Sequence, residues 1–186
     1  MINRVERFLK QVRQDPDDIL AHYNLGIFLN EDGRINESVV EYEKALELDT
    51  NRQYSTIIHS NLGSLYYRDY RLEEAITEFE LGIEDLPLLK EENNLRLIDA
   101  ASIYNNLGLA LLRKTEEKEM YGNEERDLNK ARESFGKTLE FNPNYISAKD
   151  NFELIGKMIE YGWGVSDGEG RLIKYFAGTR GLSSYE

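Results

Sequence analysis

Apolar residues recur three and four positions apart along most of the chain, the spacing of one helix face, with polar residues between them. Val5, Phe8, Leu9 and Val12 mark a first helix, which Asp15-Pro16 closes. From there the pattern repeats. The tripeptide Asn-Leu-Gly stands at residues 24–26, 61–63 and 106–108, each time within an apolar run at helical spacing. Leu25, Gly26 and Leu29 share the face of one predicted helix, and Ser38, Tyr42 and Ala45 the face of the next. Leu62, Gly63 and Tyr66 followed by Ala75, Phe79 and Gly82 form a second such pair. Leu107, Gly108 and Leu111 followed by Ala131, Phe135 and Thr138 form a third, which ends at Asn142-Pro143 because the proline ring cannot continue a helix. Ala148, Asn151 and Phe152 then restart the first-helix pattern, with Glu153 in the glycine position and no partner helix after it.

The spacing is not constant. Ala75 to Asn106 exceeds the Ala131 to Asn151 interval by eleven residues, and Asn106 to Ala131 exceeds the equivalent distance in the first two units by eleven. Eleven residues make about three helical turns, so an insertion of that length extends a helix without rotating its apolar face. The first helix of unit three is therefore expected to begin near Asn94, and its two helices to run on into a protruding hairpin around Tyr121-Gly122-Asn123; a longer loop is the alternative. The resulting organisation is an N-terminal capping helix in residues 1–18 and a repeat region in 19–161, with units at about 19–52, 56–89 and 101–144 and a capping helix at 146–161. A tail in 162–186 holds six of the 14 glycines and the only tryptophan; "RLIKYFAG" within it is apolar enough to pack as a short helix or strand.

On "NLG", "VVEYEKALELDTN" and "EEAITEFELGIEDLP" the chain resembles the tetratricopeptide repeat family, whose helix-turn-helix unit runs about 34 residues. The resemblance covers roughly Ile19 to Tyr161 and implies an all-α fold, a right-handed α-α superhelix of about three helix pairs with a capping helix at each end. The family's Trp position reads His22, His59, Tyr104 and Lys149, and its closing proline is Thr50 in the first unit and Leu88 in the second, so the repeats are degenerate.

The resemblance also implies a function. First helices line a concave groove that binds extended segments of other proteins. Asn24, Asn61, Asn106 and Asn151 occupy one position of successive first helices, and a carboxamide, with both donors and an acceptor, bonds a peptide backbone without reading its side chains. The alternative is that these amides bond to neighbouring helices. By register, Tyr23, Ile27, Tyr67, Arg68, Leu109 and Arg113 belong to the same groove, as do Asn105 and Leu112. The family's chaperone-binding members hold a C-terminal carboxylate with basic and amide residues at places that here read Tyr23, Ile27, Asn61, Ser102 and Asn106; only the amide of Asn61 fits, which argues against that ligand.

Composition narrows the remaining classes. Of 186 residues, 35 are acidic and 23 basic, and a net charge of −12 without a basic cluster argues against nucleic acid as a partner. The apolar runs are too short for a membrane span, and the start lacks the apolar core of a secretory signal, so the expected location is cytoplasmic. No cysteine is present, and His22 and His59 without a third ligand do not make a metal site, so no cofactor and no catalysis are expected. Two roles remain: an adaptor or scaffold binding an extended peptide or helix of another protein, or a self-assembling homodimer using the last helix, the tail or the hairpin. The apolar residues Phe152, Ile155 and Ile159 of that last helix motivate the second, because they need cover.

Overall fold

The computed structural model describes residues 4–86, 95–117 and 124–161. All secondary structure among the described residues is helical, apart from turns. Two compact units divide the chain, Met1–Asn93 and Asn94–Glu186.

The first unit holds five helices: α1 (Arg4–Gln14), α2 (Ile19–Glu31), α3 (Ile35–Leu48), α4 (Ser55–Arg68) and α5 (Leu72–Glu84). Each packs on the next in chain order. α1 covers the open side of α2: Val5 is buried with Leu25 and Leu29, and the Phe8 ring stacks on Phe28 with centroids 5.2 Å apart. The side chain of Asp18 accepts a hydrogen bond from the Ala21 N–H at 3.0 Å and so caps α2, whose first-turn donors have no partner within the helix.

The seam between the helices of each pair explains the recurring glycine. A Cβ added to Gly26 would stand 2.7 Å from the Tyr42 ring, one on Gly63 2.6 Å from Phe79, and one on Gly108 2.8 Å from Phe135. Glycine is therefore required by close approach, and the ring it admits is fully buried in all three cases. In the first pair the buried Ser38 hydroxyl also donates to the Gly26 carbonyl at 2.7 Å, satisfying both groups across the seam.

The connections within the pairs share one construction. Gly33 N–H bonds the Asn30 carbonyl and Arg34 N–H the Leu29 carbonyl; Tyr70 N–H bonds Tyr67 and Arg71 N–H bonds Tyr66 in the same pattern. Gly33 has φ +76° and Tyr70 φ +59°, both in the left-handed region. Between α3 and α4 the chain turns on the buried Asp49, whose carboxylate accepts from the N–H groups of Gln53 (3.0 Å) and Tyr54 (2.7 Å). Arg52 in that turn has φ +55° and reaches the buried carboxylate of Asp85 at 3.0 Å, which ties the turn to the end of α5.

The second unit holds α6 (Leu95–Glu117), α7 (Glu124–Phe141) and α8 (Ile146–Tyr161), with α7 packed on both neighbours. α6 starts where the spacing predicts, and at 23 and 18 residues α6 and α7 are longer than the 13 or 14 of α2 to α5, so the insertion lengthens helices. Leu112, Thr115 and Leu128 are buried there, and Lys114 pairs with the buried Asp127 at 3.4 Å. The predicted hairpin tip around 121–123 and the 162–186 tail lie outside the described residues. On α8, Ile155 is fully buried, while Phe152 lies under the Arg132 guanidinium at 4.5 Å. α7 thus supplies cover for part of the helix whose partner the sequence leaves unspecified.

Candidate interaction surface

In the first unit the residues that register assigns to a groove come from α2 and α4. Positions 23, 27 and 30 of α2 share one face, as do 61, 64 and 68 of α4, because each set steps by three or four residues. Tyr23, Asn24, Ile27, Asn61 and Tyr67 are half-buried and Arg68 is exposed.

These side chains are tied together. Asn61 Nδ2 donates to the Tyr23 hydroxyl at 3.0 Å, and the Tyr23 ring lies 6.0 Å from that of Tyr42, tilted by 43°. A second bridge lies further along, where Arg68 Nη2 donates to the Asn30 Oδ1. Both bridges join residues 38 positions apart, so each links one first helix to the next. Asn24 behaves otherwise, its Nδ2 donating to the Leu20 carbonyl of its own helix at 2.7 Å. The first two amides of the expected ladder therefore have different roles in the chain: one bonds within its helix and the other to its neighbour. Tyr42, beneath this surface, is held neutral; burial first, and Tyr23 beside it, push its phenol well above the usual range.

In the second unit, Asn106, Leu109 and Arg113 are half-buried on α6, and Asn151 is half-buried on α8. Asn106 Oδ1 accepts from Asn105 Nδ2 at 3.4 Å. Asn105 and Leu112, assigned to the groove by register, are buried instead.

Each of the two histidines meets a glutamate of the next helix. His22 Nδ1 meets Glu41 Oε2 at 2.6 Å and its Nε2 lies 3.0 Å from the Pro16 carbonyl; His59 Nδ1 meets Glu78 Oε2 at 2.8 Å. Sequence reasoning missed both glutamates, although each stands 19 positions after its histidine and that shared offset was legible. In the third pair the same position is Tyr104, whose ring stacks on Phe141 with centroids 5.8 Å apart. Among the described residues no group of three or more His, Cys, Asp or Glu side chains is placed to hold a metal ion, and no helix is long and apolar enough to cross a membrane.

Comparison with known proteins places this geometry. A family model described as tetratricopeptide repeat matches residues 19–52. No curated protein matches the sequence. Among solved structures, a crystal structure of MamA is 22% identical with a TM-score of 0.63, covering 84% of this chain and 78% of MamA. PilF of Pseudomonas aeruginosa is 24% identical with a TM-score of 0.61, covering 83% of this chain and 60% of PilF. Residues 19–52 thus match a tetratricopeptide repeat, and the chain as a whole has the all-α helical repeat fold in common with these structures.

Proposed function

We propose that the protein is a non-enzymatic interaction module, an adaptor or scaffold that holds an extended peptide or helix of another protein against its first helices. The observation that carries this reading is the division of charge in the first unit. α3 and α5 together hold nine glutamates and one lysine. α2 and α4 carry one acid, Glu31, and one arginine, Arg68; Glu31 pairs with Arg4 of α1 at 3.8 Å. The second helices thus keep the protein dispersed in water, while the first helices present amide, aromatic and aliphatic groups, the mixture that buries apolar area and satisfies a ligand backbone at once. Asn61 uses one of its donors on Tyr23, and the remaining capacity of its amide serves the ligand.

The test compares capture from source-cell lysate by the wild-type chain and by an Asn61→Ala, Asn106→Ala double variant of unchanged helicity. Each lost amide contact, if desolvated by the ligand, costs about 1–3 kcal/mol, which is about fivefold or more in affinity. Proteins held by the wild type and released by the variant support the reading; an identical set held by both overturns it.

A further inference from the structure

We propose that residues 171–178 of the chain's own tail lie as a strap along the open side of α8, running back from Tyr161 towards Ile146. In the three complete pairs the second helix packs on the first: α3 on α2, α5 on α4 and α7 on α6. α8 shows what that side looks like without such a helix. Counted from the recurring asparagine, Leu25, Leu62 and Leu107 are buried, whereas Phe152 at the same place is half-buried. Gly26, Gly63 and Gly108 are buried, whereas Glu153 is exposed. Leu29, Tyr66 and Leu111 are buried, whereas Gly156 is half-buried. The contrast is largest at the start of the helix, where Thr56 and Ala101 are 1% exposed and Ile146 is 75% exposed. Ile146, Phe152 and Gly156 thus leave an apolar strip open on the side where every earlier first helix is covered.

The occupant follows from chain order and reach. Each earlier first helix is covered by the segment that comes after it in the chain, and residues 162–186 come after α8. Nine residues separate Tyr161 from Arg171 and span at most about 30 Å, while the 16 residues of α8 make about 24 Å, so residues 171–178 reach any point of the strip. A segment tethered this closely has an effective concentration in the millimolar range, which a second copy at micromolar concentration does not match. Its composition fits as well. Leu172, Ile173, Tyr175 and Phe176 supply apolar surface, and Arg171 and Lys174 supply charge opposite to that of the exposed Glu153 and Glu160. The Arg132 guanidinium, already over Phe152 and 3.4 Å from where a Cβ of Gly156 would stand, offers its other face to a second ring. Glu153 fills the place where glycine admits a ring in the other pairs, so the segment lies over the surface and does not form a fourth seam.

The chain has no cysteine, so pairs introduced into the full chain report proximity directly. One partner is Lys149→Cys, on the open side, or Ser147→Cys, two residues away and on nearly the opposite side of the helix; both positions are exposed. The other is Leu172→Cys, Lys174→Cys or Ala177→Cys, and a disulfide requires Cα atoms within about 7 Å. In oxidised glutathione, with products resolved on a non-reducing gel, the fastest pair with Lys149→Cys is expected to close within one chain about tenfold faster than the fastest with Ser147→Cys. Equal rates, or a faster Ser147→Cys pair, overturn the strap, because a tail that does not rest on the open side reaches both positions alike. Disulfides formed mainly between chains overturn it in favour of a second copy. Independently, Phe176→Asp should speed hydrogen exchange of the α8 amides by about tenfold and leave those of α2 to α5 unchanged; α8 exchange equal to the wild type overturns the strap as well.

Discussion

The turn from α2 to α3 and the turn from α4 to α5 have the same hydrogen bonds and the same left-handed residue, yet glycine fills that place in the first and tyrosine in the second. Gly33 meets no atom within 4 Å of an added Cβ, so the restriction there is purely conformational. Tyr70 accepts the same conformation with a side chain that is 61% exposed. The backbone of the repeat, closed by paired bonds on both sides of the turn, thus imposes a conformation that the local residue opposes. The seam behaves differently. Gly26 and Gly63 are both glycine because a ring from the partner helix occupies the space, and no backbone adjustment at one residue can relieve that. Crowding by a neighbouring helix is a stricter constraint than torsional preference.

The seam gives the largest expected effects. Phe79→Ala should destabilise the chain by about 3–5 kcal/mol, and Gly63→Ala by about 1–3 kcal/mol, in urea or thermal unfolding. In a Phe79→Leu background the Gly63→Ala effect should shrink, because a flexible side chain yields where a ring does not. Equal Gly63→Ala effects in the two backgrounds would remove the crowding explanation.

An intermediate effect should separate the two histidines. His22 has acceptors at both ring nitrogens, from α3 and from the turn before α2, whereas His59 has the one carboxylate, Glu78, facing its Nδ1. His22→Ala is expected to cost about 2–3 kcal/mol and His59→Ala about 1–2 kcal/mol, since each leaves a partly buried acceptor without its bond. Denaturation midpoints in the reverse order would mean that packing and not hydrogen bonding decides these positions.

The smallest effect belongs to the turns. Tyr70→Gly should stabilise by about 0.5–1 kcal/mol, and Gly33→Ala should destabilise by about 1 kcal/mol, because an L side chain in the left-handed region is strained. A destabilising Tyr70→Gly would show that the exposed ring contributes more through its contacts than its backbone conformation costs.

Much of this fold was legible before any coordinate. The start of α6 and the lengthening of α6 and α7 followed from an insertion of eleven residues, because a whole number of turns preserves the buried face. The candidate site was legible in part. Register puts Tyr23 and Ile27 on one face of α2 and Asn61 and Arg68 on one face of α4, but it gives no sign of Asn30 as the partner of Arg68, and Asn105 and Leu112 are buried where register alone puts them in the groove. Register assigns a residue to an angular position on its own helix; which neighbouring surface lies opposite depends on helix length and packing, and those differ in the second unit.

The sequence by itself determined the periodic features: helices, their order, and the glycine and ring that meet at each seam, since these depend on side-chain volume repeated at fixed spacing. The tertiary structure alone decided the hydrogen-bonded pairs between helices, Tyr23 with Asn61, Asn30 with Arg68, and each histidine with its glutamate. The physical reason is range. Apolar burial is non-directional and tolerates a pattern, whereas a hydrogen bond requires two particular atoms within about 3 Å and in line, a condition met only when separate helices have been set side by side.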